Sequence, residues 1–248
     1  MLVTKGRSLD AELRLPHPTA MSSNPIKDIA VWLVPLVIAI VFHEIAHGLV
    51  AKRLGDPTAA ERGRLSFNPI KHIDPFGTVI LPLILAVSHA GAIFGWAKPV
   101  PVNYRKLKHP RRDMILVSLA GPGMNLLLAI VGAILLTATL AFSGGAQDPT
   151  SQFIALNALN FVYINIFLAI FNLLPIPPFD GGHVVEGLLP RSAARHYRKI
   201  GRFSLLVFVM LLLVLPAMSP SADVIGKVVS PIVRQLTTGL LSLFGLQT

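Results

Sequence analysis

The chain has no cysteine among its 248 residues. Disulfides are therefore excluded, as is any thiolate metal site, so a metal here must be held by nitrogen and oxygen. Charge is scarce too. Only 14% of residues are charged, against about 25% in soluble domains. Acidic residues number 12 against 22 lysines and arginines. The +10 balance fits the basic cytoplasmic loops of membrane proteins. No recognition motif or aromatic interleaving accompanies it, so nucleic acid is not an expected partner. The first 25 residues lack an apolar stretch ending in small residues, and no cleavable signal peptide is expected. An internal repeat, common in transporters, is also missing.

What is present is apolar length. Hydrophobic residues make up 53% of the chain, and several runs approach the ~20 residues that cross a bilayer. The expected fold is all-α: a polytopic membrane protein with about five to six apolar helical segments. The expected division is a polar lead over 1–25, a membrane-embedded core over 26–219, and an amphipathic or final membrane helix over 220–248.

Near the end of the first apolar run stands Phe42-His43-Glu44-Ile45-Ala46-His47-Gly48. Two histidines four apart share a helix face and can span one zinc ion. Glu44 lies beside them as a group that can take a proton from water. H-E-x-x-H also arises by chance. Two imidazoles and a carboxylate are costly inside a run of Val, Ile, Leu and Ala, however, which favours function. The longer metzincin pattern would need Gly and His where Val50 and Arg53 stand.

The first span is expected over Ile26–Leu54, with Asn24-Pro25 at its start and Gly55 as its stop. Arg64-Leu65-Ser66-Phe67 alternates as a short strand would, and Asn68-Pro69 and Asp74-Pro75 mark turns. Phe76–Trp96 is apolar, broken by Gly and Pro, and basic on both flanks. That pattern favours a re-entrant hairpin over an ordinary span, because a span has one basic side. Further spans are expected over Met114–Phe142, Phe153–Leu174 and Phe203–Met218, and an amphipathic segment over Val224–Phe244. The loop Ser143–Ser151 holds no Lys or Arg and is expected outside. Lys52-Arg53 and the run Arg191–Arg202 are expected inside.

This topology brings the end of the first span and the segment after Leu174 to the same cytoplasmic depth. A catalytic zinc commonly takes three protein ligands and keeps one position open. Asp180 is the best third ligand. Pro175, Pro177 and Pro178 hold the chain before it extended, and Gly181-Gly182 permits a tight turn after it. A plain turn aspartate is the alternative, and His183, Glu186 and His89 are rivals. Asn172, near the end of its span, is either a donor to a developing oxyanion or a helix–helix contact. For Asn125, beside Gly121 and Gly123, the helix contact is the stronger reading, and Asn157, Asn160 and Asn165 are candidates for the same role.

Three motifs now coincide: F-H-E-I-A-H-G, A-G-P-G-M-N and N-L-L-P-I-P-P-F-D-G-G-H. Together they resemble the site-2 protease family of intramembrane zinc metalloproteases, over roughly residues 29 to 187. G-R-L-S-F-N-P-I-K-H-I-D-P-F-G-T and G-W-A-K-P-V-P-V-N resemble its short bacterial-type branch, with no room expected for a PDZ domain or a CBS pair. The resemblance implies one zinc per chain held by His43, His47 and Asp180, with Glu44 as general base and Asn172 holding substrate or oxyanion. It implies a transmembrane protein substrate cut in or near the lipid bilayer, in regulated intramembrane proteolysis. The expected location is the cell membrane, multi-pass, with the active site towards the cytoplasm. The competing functions are a membrane metal transporter and a catalytically inactive scaffold. Oligomeric state is not legible in the chain.

Overall fold

In the computed structural model, the described residues are 7–8, 25–87, 95–146, 148–203, 206, 210, 215, 219, 223 and 225–247. Helix dominates them. Helix α1 runs Pro25–Arg53, the short α2 Thr58–Glu61 and α3 Leu81–Val87. Then come α4 over Pro110–Phe142, α5 over Pro149–Asn172, α6 over Asp180–Leu188, α7 over Arg191–Ile200 and α8 over Ser230–Leu243. A two-residue parallel pair, β1 (Arg7–Ser8) with β2 (Leu246–Gln247), is the extended pairing among the described residues. Among the described residues, three helices are long and apolar enough to cross a membrane: Ile29–Arg53 of α1, all of α4 and all of α5. The chain is thus an all-α polytopic membrane protein. Expectations for His89 and for most of Phe203–Met218 concern residues outside those described.

The chain divides into two compact units that share these long helices. One comprises Met1–Ala39, Asn125–Leu168 and Ser230–Thr248; the other comprises Ile40–Met124 and Ala169–Val229. In the first unit alanines share the interior with larger residues such as Leu136, Leu140 and Val162, and many other large side chains face outward. Ala39, Ala129, Ala133, Ala155 and Ala158 are buried, while Ile29, Trp32, Leu127 and Val131 are more than half exposed. Gly132 lets Val162 approach: a Cβ there would lie 3.0 Å from the Val162 Cγ2. The Asn125 amide, fully buried, donates to Asn165 Oδ1 at 2.8 Å and to the Ala39 carbonyl at 3.3 Å. Asn160 donates to the Val31 carbonyl at 3.1 Å. Asn157 instead bonds back to Phe153 of its own helix. On α8, Val233, Thr237 and Leu241 recur every four residues and are buried, whereas Arg234 is exposed.

The second unit holds the connections between spans. Gly55, at φ +110°, ends α1 where a side chain would be strained. Asn68-Pro69 and Asp74-Pro75 do more than turn the chain. Each opens a helical turn, with the Asn68 and Asp74 side chains accepting from the backbone amides that follow. Arg64–Phe67 runs through bends and irregular backbone and not the expected strand. Its polar groups are consumed singly: Arg64 donates to the Lys98 carbonyl at 2.7 Å, and the Ser66 carbonyl pairs with His72 Nε2 at 2.8 Å.

The apolar stretch from Phe76 ends where it began. The Trp96 amide donates to the Gly77 carbonyl at 3.1 Å, Thr78 Oγ1 donates to the Trp96 carbonyl at 2.7 Å, and the Lys98 amide donates to the His72 carbonyl at 2.8 Å. The described part of its outgoing arm is six residues of π-helix and seven of α-helix. Ends this close are the closure expected of a re-entrant hairpin.

A carboxylate fastens the return arm. Asp56 is fully buried. Its Oδ1 accepts from the Thr58 amide at 3.0 Å and from the Thr58 hydroxyl, and its Oδ2 accepts from the Asn103 amide. Burial opposes the charge, but these donors and Lys106 hold the Asp56 carboxyl below the usual range. A depressed carboxyl adds stability above its unfolded value of about 3.9, and that gain is lost as pH falls through the folded value. Asp56→Asn should therefore lower the unfolding free energy by about 1–3 kcal/mol at neutral pH. The gap to wild type should close in acid below about pH 4. Thermal unfolding in detergent across pH checks both.

Candidate metal centre

The first two candidate ligands come from one helix. His43 and His47 lie one turn apart on α1, and both are nine-tenths or more buried. The third comes from the chain between α5 and α6. There the prolines break the helix after Asn172, and Asp180 becomes the first residue of α6. The break is short and well tied. Tyr197 of α7 donates its hydroxyl to the Pro175 carbonyl at 3.0 Å, the Phe171 and Phe179 rings meet at 4.6 Å, and Arg111 donates to the carbonyls of Gly187 and Leu189 at the end of α6.

Gly181 and Gly182 do not form the expected turn. Both lie inside α6. Their missing side chains serve close packing instead: a Cβ at Gly182 would sit 2.8 Å from the Pro177 nitrogen, and one at Gly181 would strike the Leu173 carbonyl. The proline segment folds back against the helix it precedes, and Asp180 is delivered at a fixed place.

That place is beside the histidines. Asp180 Oδ2 lies 3.3 Å from His43 Nε2 and 3.3 Å from His47 Nε2, and the two Nε2 atoms are 3.0 Å apart. Ligand atoms about 2.0–2.1 Å from a tetrahedral zinc stand roughly 3.3–3.4 Å from one another, so the spacing fits such an ion. The chemistry fits as well. Asp180 Oδ2 is buried with no hydrogen-bond partner, a costly state for a carboxylate oxygen unless a cation meets it. His47 Nδ1 is 2.7 Å from the Val117 carbonyl. A proton on Nδ1, donated to that carbonyl, leaves the Nε2 lone pair to face the metal.

The site has a floor that spacing alone did not reveal. A Cβ on Gly121 of α4 would press into both imidazoles, 2.6 Å from His43 Nε2. This glycine of A-G-P-G-M-N leaves room for the ring pair. Glu44 points along another face of α1, half-buried, and its Oε2 accepts from the Val100 amide at 2.7 Å. Of the rival ligands, His183 is exposed and Glu186 pairs with Arg198 at 2.6 Å. Neither joins the cluster. Asn172 is the last residue of α5 and half-buried.

A membrane-spanning helix that offers two histidines to an aspartate beyond the bilayer crossings defines a class: the membrane zinc metalloproteases. Peptidase family M50, the site-2 proteases, matches residues 31–156 and 144–215, and the chain belongs to that family. YwhC of Bacillus subtilis (strain 168), a proposed zinc metalloprotease, is 35% identical over 223 residues, covering 86% of this chain and 96% of that protein. Rip2 of Mycolicibacterium smegmatis, also a proposed zinc metalloprotease, is 30% identical over 191 residues, covering 77% and 68%. No solved structure gives a significant match. The protein is therefore a multi-pass membrane zinc metalloprotease, which sets aside the transporter and inactive-scaffold alternatives.

If Gly121 is the floor of the metal centre, Gly121→Ala should displace the imidazoles and weaken zinc binding by at least tenfold, with helix content unchanged. Zinc titration of the metal-stripped protein against a chromogenic chelator, beside circular dichroism, measures both.

Proposed function

We propose that this protein hydrolyses peptide bonds within or near the transmembrane segment of membrane-protein substrates, from a site on the cytoplasmic side of the cell membrane. The observation that carries the reading is the meeting of His43, His47 and Asp180 at 3.0–3.3 Å on a helix of membrane-spanning length. A protease site at that depth reaches bonds in other spans. The cytoplasmic side is supported by charge: Lys52 and Arg53 close α1, Arg111 and Arg112 open α4, and α7 is basic, whereas Ser143–Ser151 has no Lys or Arg.

His43, His47 and Asp180 would hold the zinc. Bound there, it supplies a Lewis acid that acidifies water and polarises a carbonyl. The chain's own residues do the rest. Glu44 accepts the proton of the attacking water and returns it to the leaving amine. Asn172 offers an amide N–H to the developing oxyanion. The apolar surroundings keep bulk water from competing for those hydrogen bonds. The substrate helix must unwind locally, since a helical carbonyl is already bonded four residues on. Cleavage of such segments is the chemistry of regulated intramembrane proteolysis.

The test uses purified protein in liposomes with single-span helical substrates, cleavage sites being read by mass spectrometry. Glu44→Gln should retain one zinc per chain and lose cleavage. Asn172→Ala should keep zinc and lower kcat by about 10²–10³-fold. Asp180→Ala should lose zinc. Undiminished cleavage by Glu44→Gln, or one tightly bound zinc in Asp180→Ala, would reject the assignments. Cuts confined to the extramembrane tails would reject the substrate class.

A further inference from the structure

Glu44 has a partner whose surroundings are unusual. The residue that donates to its Oε2 at 2.7 Å is Val100, in the run Lys98-Pro99-Val100-Pro101-Val102-Asn103. Proline has no amide hydrogen. From Pro99 to Pro101 the backbone therefore has a single N–H, and it is the one aimed at Glu44. The prolines also fix their own φ near −65° and drive the residue before each, Lys98 and Val100, into extended conformations. The donor is thus carried on backbone with little freedom to lose.

Both ends of the run are tied to the same unit. Upstream, the Lys98 amide bonds the His72 carbonyl at 2.8 Å, and Arg64 holds the Lys98 carbonyl at 2.7 Å. Downstream, the Asn103 amide bonds the buried Asp56 carboxylate. The side chain of Val100 is placed as deliberately as its amide. It is buried, and a Cβ on Gly48 would lie 2.9 Å from its Cγ1. Gly48 is one helical turn beyond Glu44 on the same face of α1. Glu44 takes the Val100 amide while Gly48 makes room for its side chain.

We propose that Val100 is a positioning residue for Glu44: its proline-flanked main-chain N–H, fastened through Asp56, fixes one carboxylate oxygen so that the other faces the water it deprotonates. The inference rests on Glu44 acting as the base. A base held by one oxygen loses rotational freedom before the reaction and not during it, and misplacement by about 1 Å can cost 10²-fold.

The sequence provides a clean perturbation. Because residue 100 already sits between two prolines, Val100→Pro suits the local backbone and removes the N–H. Val100→Ala keeps the N–H and trims the side chain. With the full-length zinc-loaded protein in liposomes, Val100→Pro should retain one zinc per chain and its KM, and lose at least tenfold in kcat. Val100→Ala should keep at least ten times the kcat of Val100→Pro. Equal kcat in the two variants, or a loss in Val100→Pro carried by KM or by zinc, overturns the proposal while leaving Glu44 as base. Activity in Glu44→Gln would instead overturn the base itself. A second measurement does not depend on how Val100→Pro folds. In hydrogen–deuterium exchange of the intact protein, a peptide beginning at Ala97 and ending at Val102 reports only the amides of Val100 and Val102, because the label on its second residue, Lys98, is lost. Glu44→Ala should raise exchange at Val100 by at least tenfold, and unchanged exchange would refute the contact.

Discussion

Three electron-rich atoms held within 3.3 Å of each other, in a part of the protein largely closed to water, are the constraint that organises the second unit. Lone pairs that converge like this repel unless a cation or protons lie between them. The cluster is therefore kept in place from outside. Helix periodicity supplies two members from one face of α1. A proline break supplies the third, with Gly181 and Gly182 letting the broken segment fold tightly onto α6. The backbone of α4 comes close enough to receive a hydrogen bond from His47 at Val117, and, one turn on, to require a glycine at 121. The supports from α4 that touch the imidazoles are a main-chain carbonyl and an absent side chain, which add no ionisable group beside them.

The first unit follows a different rule. In lipid there is little hydrophobic gain in burying leucine, so contact depends on how closely backbones approach and on a few hydrogen bonds. Alanines and Gly132 permit the approach. Asn125, Asn160 and Asn165 supply the bonds, while one face of α4, with Leu127, Val131 and Leu135, is turned outward and Leu136 and Leu140 are buried. The A-G-P-G-M-N motif thus has two jobs within a short stretch of α4: Gly121 makes room for imidazoles, and Asn125 ties the helix to its neighbours.

What could be read in the chain was whatever repeats at a fixed spacing or breaks a helix. The i, i+4 histidines, the apolar runs, the proline break before Asp180 and the closing of the hairpin over Phe76–Trp96 all leave such marks. What could not be read depends on a neighbour distant in sequence. Glycines 48, 121, 181 and 182 look alike in a string of letters, and only the opposing atoms show that these four serve close approach and not turns. Asp56 reads as a loop acid until the Asn103 amide, 47 residues away, is found against it. The alternation at Arg64–Phe67 misled because its groups are used one by one, the Arg64 side chain on Lys98 and the Ser66 carbonyl on His72. Alternation implies a strand only where a ladder partner is available.

The absence of cysteine bears on the chemistry of the centre. Thiolate ligands would bring negative charge to the metal, quench its Lewis acidity and leave a net anion buried beside lipid. As proposed ligands, two neutral imidazoles, one of them oriented by its bond to the Val117 carbonyl, and one carboxylate would leave a divalent ion a single positive charge to spare. In the proposed site Glu44 would supply the balancing negative charge, and it is held by a main-chain amide rather than by a cation. An arginine or lysine there would neutralise the base it positioned. An amide dipole orients the carboxylate and leaves its charge available to the proton. Zinc, Asp180 and Glu44 then sum to zero formal charge, the arrangement that costs least to bury. It is also one in which moving a single proton between water and Glu44 changes the charge that the attacking oxygen meets.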